Sequence, residues 1–228
     1  MNRDLAARLD EVDGLIGQAA RDAGRDPASL TRIVVTKFHP ASLVSDLVDL
    51  GVGDVGENKQ QELTAKHAEL ASLDVRWHFI GQVQTNKARA VRAAASVVHS
   101  VDRARLADAL DAAAPDASSV LDVLLQVNLT DDPGRGGVAA PELAALAEHA
   151  SGCRTLRVRG VMAVAPLDEP PVRAFERLRT YSERLRTVVP DADWISAGMT
   201  ADYAEAIAAG ATHLRIGSAI TGPRPLRG

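Results

Sequence analysis

The sequence has a single cysteine and only a small excess of acidic over basic side chains. One cysteine excludes an intramolecular disulfide and is typical of a reducing compartment. The 26 basic and 30 acidic side chains leave a formal net charge of -4, so the chain lacks the electrostatic footprint of a protein that binds nucleic acid or an anionic membrane. No thiolate-activating motif surrounds Cys153, and we expect it to pack as a small side chain.

Long apolar runs are also missing from the sequence. No stretch approaches the roughly 20 apolar residues that cross a membrane. The N-terminal stretch M-N-R-D-L-A-A-R-L-D-E-V mixes charged residues with leucine and alanine, so it has no apolar signal core. No linker, low-complexity tract or charge block divides the chain. We therefore expect a soluble cytoplasmic protein in which residues 1–228 form one domain.

The chain does contain a regular alternation of short β-branched runs with alanine-rich helical patterns. After an N-terminal helix predicted over residues 3–23, the predicted strands span residues 31–37, 52–57, 75–81, 96–101, 120–129, 158–164, 194–198 and 213–220. The predicted helices between them span residues 41–50, 59–72, 84–95, 103–113, 141–150, 170–188 and 201–209. Such alternation implies parallel strands with crossover helices, and eight repeats in this length fit a (β/α)₈ TIM barrel better than an open doubly wound sheet.

The first predicted strand ends in a lysine, within R-I-V-V-T-K-F-H-P. Lysine is almost never fully buried without a partner, so Lys37 either ends the strand in solvent or is placed there to react. Active sites of TIM barrels lie at the C-terminal ends of the strands. The same mouth would receive Asn58 after the second strand, S-A-G-M-T after the seventh and R-I-G-S after the eighth.

The last two of these segments are typical of a phosphate site, which TIM barrels often build from the loops after strands seven and eight. Gly198 would let backbone approach a ligand, and Thr200 would cap the next helix, whose N–H groups attract an anion. Ser196 and Ser218 add hydroxyl donors, and Gly217 adds a second flexible position. Two ordinary glycine turns and a helix cap are the alternative explanation of this pattern.

A lysine beside a phosphate site suggests a phosphorylated aldehyde as the ligand. Pyridoxal 5′-phosphate (PLP) is such a molecule, and Lys37 would form a Schiff base with it. Arg215 lies between the two parts and keeps its proton. A guanidinium that faces the pyridine nitrogen would hold that nitrogen unprotonated, which weakens the ring as an electron sink.

Eight segments of the chain together resemble one family. They include V-T-K-F-H-P, V-G-E-N-K-Q-Q-E-L, W-H-F-I-G-Q-V-Q-T-N-K, S-A-G-M-T-A-D and L-R-I-G-S-A-I-T-G-P-R, and they run in order from about residue 32 to residue 224. By these segments the chain resembles the pyridoxal phosphate homeostasis protein family. The W-H-F-I-G-x-x-Q-x-N-K segment is the most specific of them.

The resemblance implies a TIM barrel like the N-terminal part of alanine racemase, with Lys37 carrying PLP as a Schiff base. It also implies that Arg215 faces the pyridine nitrogen and that Asn58 lies near the ring. The residues that it assigns to the phosphate are Ser196, Gly198, Met199, Thr200, Gly217 and Ser218. The family binds PLP and manages its intracellular supply, and it has no established catalytic reaction.

Two other functions remain open at the level of the sequence. The first is a PLP-dependent racemase or related amino-acid enzyme with weak activity, which would need a second proton-transfer group that alanine racemase takes from another domain. The second is a Schiff-base aldolase, although V-R-G-V-M-A-V on the sixth strand has no lysine. As partners of a PLP carrier we expect free amino acids and apo-enzymes that accept PLP, and we expect a monomer.

The remaining polar residues of the strands are predicted to have structural roles. His78, His99 and His213 are expected to be structural, His78 satisfied by backbone at a strand end, and Glu57 to pair with a cation at the rim. The six histidines show no metal-binding spacing, so we expect no metal site.

Overall fold

Eight short parallel strands close into a barrel in the order in which they occur along the chain. The computed structural model describes residues 3–130 and 132–224. The strands are β1 (Thr31–Val35), β2 (Asp54–Glu57), β3 (Arg76–Phe79), β4 (Val97–Val101), β5 (Leu121–Gln126), β6 (Leu156–Met162), β7 (Trp194–Ser196) and β8 (His213–Ile216). β8 pairs with β1, with Ile33 opposite Arg215, and this pairing closes the sheet. The predicted (β/α)₈ TIM barrel is confirmed.

Helices follow the strands and form the outer layer. They are α1 (Arg3–Asp22), α2 (Ala41–Asp49), α3 (Gln60–Glu69), α4 (Ala88–Arg92), α5 (Ala104–Ala112), α6 (Leu143–Gly152), α7 (Pro171–Val188), α8 (Tyr203–Ala208) and α9 (Ser218–Thr221). The additional N-terminal helix is present as α1, and its Arg8 Nε donates to the backbone oxygen of Ile220 at 2.7 Å, which ties α1 to α9. None of the described helices combines the length and the apolar character needed to cross a membrane.

The core has two parts, because each strand has one face toward the helices and one toward the barrel interior. A large cluster of buried apolar side chains fills the space between strands and helices. A small apolar cluster of Val97, Leu124 and Met162 lies apart from it. Buried on both faces, the strands favour β-branched runs such as I-V-V in β1.

Most predicted strands are correct in position but too long at one or both ends. The strand predicted over residues 31–37 ends at Val35, and the one predicted over residues 213–220 ends at Ile216. The segment after Gly217 forms the short helix α9, and Ile220 within it is fully buried. An apolar run of this length has the same composition in a strand and in a buried helix turn, so the pattern alone does not distinguish them.

Candidate functional site

Lys37 lies two residues after β1, in an exposed turn at the C-terminal mouth of the barrel. The next residue, Phe38, has a φ of 71°, which is uncommon for a side chain other than glycine. Its backbone N–H donates to Glu62 Oε2 at 2.7 Å, and this bond holds the turn against α3. The Nζ atom of Lys59 lies 4.9 Å from the centroid of the Phe38 ring. The turn is therefore anchored on both sides while the amine of Lys37 stays open to solvent.

A buried ion pair lies next to this turn, between Glu57 at the end of β2 and Lys66 on α3. Glu57 Oε1 accepts hydrogen bonds from Lys66 Nζ at 2.5 Å and from Thr36 Oγ1 at 2.6 Å. Lys66 Nζ also donates to the backbone oxygen of Thr36 at 2.8 Å. Burial raises the pKa of Glu57, although Lys66 and Thr36 act in the opposite direction. The expected partner at the rim is thus a buried lysine that helps to hold the residue before Lys37.

Asn58 follows Glu57 directly, and its side-chain oxygen Oδ1 is buried without a hydrogen-bond partner within residues 3–130 and 132–224. A Cβ added at Gly81 would lie only 2.0 Å from the backbone oxygen of Asn58, so Gly81 allows the loop after β3 to pack against Asn58. Most buried side-chain oxygens have a partner, and an orphaned acceptor at the mouth fits a ligand that brings a donor.

Arg215 is buried in β8 and its two terminal nitrogens both have partners. Nη1 donates to Ser196 Oγ at 2.7 Å, and Nη2 donates to the backbone oxygen of Ala163 at 2.8 Å. Burial lowers the pKa of Arg215 to about 10, which is partly offset by the charge of Asp202. The guanidinium therefore stays protonated at neutral pH and can only donate hydrogen bonds.

Two of the three histidines predicted to be structural, His78 and His99, lie in a continuous chain of side-chain hydrogen bonds. Ser196 Oγ lies 2.9 Å from His99 Nδ1, and His99 Nε2 lies 2.9 Å from His78 Nδ1. His78 Nε2 lies 2.8 Å from Asp54 Oδ1, and His213 Nδ1 bonds the hydroxyl of its neighbour Thr212 at 2.8 Å. The prediction that backbone satisfies His78 at a strand end was therefore wrong. Barrel closure brings together side chains from five strands, which sequence spacing does not reveal.

Burial lowers the pKa of each of these three histidines. The pKa of His78 is lowered mainly by burial, and the hydrogen bond that it donates to Asp54 opposes this shift. The pKa of His99 falls well below its usual value, and that of His213 falls to about 3, again mainly through burial. All three are neutral at physiological pH. In the sequence, the polar interior was indicated by His99, which stands within the apolar run V-V-H-S-V.

The loop after β7 differs from its prediction at the start of the following helix. Thr200 does not cap a helix, because α8 begins at Tyr203 and Asp202 precedes it; the carboxylate of Asp202 instead accepts the N–H of Met199 at 2.6 Å. Gly198 has a φ of 90°, and a Cβ there would lie 2.7 Å from the Cβ of Ala206. Gly198 is therefore needed for the close packing of α8. Its contact with a ligand stays a prediction.

The loop after β8 lies where it was predicted, beside the end of β1. A Cβ added at Gly217 would lie 3.7 Å from the Cβ of Val35, which is an ordinary contact. Ser218, the first residue of α9, is exposed, and so is Thr200 in the neighbouring loop. The structure thus brings the turn of Lys37 and these two hydroxyls to one end of the barrel, while their contact with a phosphate stays a prediction.

Comparison with known proteins places the sequence in a family. The sequence model of the family described as alanine racemase, N-terminal domain, matches residues 30–225. A pyridoxal phosphate homeostasis protein of Pseudomonas aeruginosa is 41% identical over 223 residues, which cover 96% of each chain. The protein of that name from Escherichia coli K12 is 38% identical over 227 residues, 97% of each chain. The chain belongs to the pyridoxal phosphate homeostasis protein family.

Solved structures support the same assignment. PipY of Synechococcus elongatus, in a structure with PLP bound, is 33% identical and superposes with a TM-score of 0.83, covering 96% of this chain and all of PipY. Alanine racemase from Corynebacterium glutamicum gives a TM-score of 0.71 at 14% identity and is covered over 62% of its length. That second likeness concerns the fold alone, and it confirms the barrel expected from the resemblance.

Two further features of this family member lie outside the predicted site. A cavity of about 1070 Å³ opens between the loops after β5 and β6, and its lining includes none of the predicted residues. Its walls include Asn128, Arg135, Pro166 and Tyr181. The mouth is therefore broader than the segment around Lys37.

A group of three potential metal ligands lies between α5 and α6, formed by Asp108, His149 and Cys153. Their ligand atoms lie within 4.8 Å of one another. His149 Nε2 is 2.6 Å from Asp108 Oδ1, so these two side chains are already paired. Burial and the nearby charges of Asp111 and Asp108 raise the pKa of the Cys153 thiol, which disfavours the thiolate that binds metals. The expected absence of a metal stays a prediction.

Proposed function

We propose that this protein binds PLP at the C-terminal mouth, as a Schiff base on Lys37, and serves the intracellular supply of the cofactor. The observation that carries the proposal is the pairing of β1 with β8, which places the turn of Lys37 beside the strand that holds Arg215. The full-length similarity to PipY, whose structure has PLP bound, supports the choice of ligand.

The side chains around the mouth fit this ligand. The exposed amine of Lys37 would condense with the aldehyde carbon and release one water molecule. Asn58, whose buried Oδ1 is free of partners among the described residues, would lie near the ring. When bound, PLP supplies an electron sink, and its strength depends on the protonation of the pyridine nitrogen. Arg215 can only donate a hydrogen bond, so it would keep that nitrogen unprotonated.

The phosphate would be held by the loops after β7 and β8. The hydroxyls of Thr200 and Ser218 are exposed there, and Gly217 offers backbone without a side chain. Gly198, Met199 and Ser196 complete the proposed set, although the backbone N–H of Met199 donates to Asp202 in this structure. The hydroxyl of Ser196 already bonds His99 and Arg215, so it serves the phosphate less than the sequence suggested.

A carrier role follows from the exposure of Lys37 and from the weak electron sink that Arg215 would impose. An exposed amine lets bound PLP exchange with free amino acids or pass to an apo-enzyme. Racemisation needs a proton-transfer group on each face of the reacting carbon, and Lys37 supplies one of them. A racemase with weak activity is the alternative function, and a monomer remains the proposed state of the carrier.

The Schiff base is tested by absorbance, borohydride reduction and peptide mass mapping of the protein after incubation with PLP. We expect a yellow protein and, after reduction, a pyridoxyl adduct on Lys37. Lys37→Ala should lose both the colour and the adduct. Lys59→Ala removes another cation of the same mouth and is the matched control, which should keep both. A wild-type protein that stays colourless and unlabelled would refute the proposal.

Carrier and racemase are distinguished by two assays on the loaded protein. Transfer of PLP to an apo-enzyme at a rate above its free release supports the carrier. Exchange of the α-deuterium of an amino acid that is lost in Lys37→Ala would instead support the racemase. Transfer no faster than free release would exclude the carrier role.

A further inference from the structure

A column of buried polar side chains runs through the barrel from Asp54 to Arg215. Asp54 is the first residue of β2, whereas Ser196 is the last residue of β7. Between them His78 of β3 and His99 of β4 connect the two ends by hydrogen bonds of 2.8 to 2.9 Å. Arg215 completes the column through its bond of 2.7 Å to Ser196. The first end touches solvent, because the side chain of Asp54 is 26% exposed.

The direction of every hydrogen bond in this column is determined by its two ends. Arg215 can only donate, and the ionised carboxylate of Asp54 can only accept. His78 and His99 have 0% exposed surface and are neutral, so each ring donates once and accepts once. His78 must therefore donate from Nε2 to Asp54 and accept at Nδ1. His99 must then donate from Nε2 and accept at Nδ1 the hydroxyl hydrogen of Ser196.

These directions leave Ser196 Oγ as an acceptor for the hydrogen bond with Arg215. The hydroxyl hydrogen of Ser196 is committed to His99, so a lone pair of Oγ faces the guanidinium and accepts from Nη1. A reversed column would make Ser196 accept from both neighbours and leave its own hydrogen without a partner in the column. On its Nη1 side, the position of the guanidinium thus depends on groups that do not touch it.

We propose that His78 and His99 are positioning residues that hold Arg215, through Ser196, in the orientation required at the mouth. Asp54 anchors the column by fixing the direction of its hydrogen bonds. The proposal rests on the proposed function only in assigning Arg215 to the pyridine nitrogen. The orientation of Arg215 itself is a property of the protein without its ligand.

The composition of the barrel interior supports a role beyond space filling. TIM barrels usually fill this space with branched apolar side chains. Burial of an imidazole carries a desolvation penalty that an aliphatic side chain of similar volume avoids. His78, His99 and His213 nevertheless occupy the interior, alongside the apolar cluster of Val97, Leu124 and Met162.

The direction of the column is tested by NMR of the ligand-free protein with labelled imidazole and guanidinium nitrogens. At about neutral pH we expect His78 and His99 to carry their single proton on Nε2. We also expect slowly exchanging Nη hydrogens on Arg215. Protonation of either ring on Nδ1, alone or together with Nε2, would overturn the assignment.

Positioning is tested with variants of His99 in the same ligand-free protein. His99→Leu offers neither donor nor acceptor, and we expect it to lose the slow exchange of the Nη1 hydrogens of Arg215, whereas Nη2 keeps its bond to the backbone oxygen of Ala163. His99→Gln retains one donor and one acceptor and should restore the slow exchange of the Nη1 hydrogens. His213→Gln changes a buried histidine outside the column and is the control for general loosening of the core. Unchanged Arg215 signals in folded His99→Leu would overturn the proposal.

Binding of PLP provides a second readout. We expect the dissociation constant of PLP to rise about tenfold in His99→Leu and to stay within about threefold in His99→Gln and His213→Gln. Equal affinity of wild type and His99→Leu would overturn the link to the mouth. Failure of the wild type to bind PLP would instead refute the proposed function, and the NMR result on Arg215 would still decide the column.

Discussion

The buried pair of Glu57 and Lys66 is the residue-scale feature that most directly affects the neighbourhood of Lys37. Both side chains are almost completely shielded from solvent, and both bond Thr36, the residue before Lys37. A buried ion pair contributes little net stability, but removal of one partner leaves an uncompensated charge in a medium of low polarity. The pair thus makes the first turn of the mouth sensitive to single substitutions.

We expect Lys66→Met to destabilise the protein by about 3 kcal/mol, because Glu57 would remain buried without its cation. The free energy of unfolding by urea measures this effect. The double variant Glu57→Leu with Lys66→Met removes both charges and should recover most of the loss. A loss below about 1 kcal/mol in the single variant would contradict this account.

At the scale of elements, the packing of α8 against the sheet depends on the loop after β7. Gly198 combines a positive φ with a contact that leaves no room for a side chain, since Ala206 and Tyr203 of α8 lie against it. The carboxylate of Asp202 then holds the backbone of Met199. The loop is therefore shaped by the protein itself before any ligand binds.

We expect Gly198→Ala to lower the free energy of unfolding by about 2 kcal/mol or more, through strained backbone and the clash with α8. Gly14→Ala is the matched control, because Gly14 is exposed within α1 and has nothing within 4 Å of an added Cβ. That control should gain about 0.5 to 1 kcal/mol from helix propensity. Equal effects of the two substitutions in urea unfolding would contradict the packing argument.

For the whole molecule, the buried histidines couple stability to pH. His78, His99 and His213 have pKa values below the unfolded value of 6.5, so the unfolded chain binds more protons as pH falls below that value. These histidines therefore cost no stability above about pH 6.5, and they lower the free energy of unfolding as pH falls below that value. Glu57 and Asp13 act in the opposite direction, because their pKa values are raised.

We expect the free energy of unfolding to fall between neutral pH and about pH 5, with about 2 kcal/mol of the loss coming from His213 alone. Urea unfolding across this range measures the slope. His213→Gln should flatten it, whereas His149→Gln, which changes an exposed histidine, should not. A slope that is the same in wild type and His213→Gln would exclude His213 as a cause.

Local patterns in the sequence determined the order of the elements and the position of Lys37, the residue proposed to form the Schiff base. Strand and helix periodicity, β-branched composition and glycine breaks act over a few residues, so eight strands and the place of Lys37 close after β1 are visible without coordinates. The ends of strands are less certain, because the run after Gly217 has the same composition in a strand and in α9.

Only the tertiary structure decided which polar side chains meet. His99 and Ser196 are separated by 97 positions, and Arg215 reaches the backbone of Ala163 across 52 positions. No sequence pattern reports such contacts, because they exist only once the barrel has closed and water has left its interior. The sequence by itself determined the barrel and the position of Lys37, whereas closure of the barrel decided the partners of Arg215, Ser196 and His99.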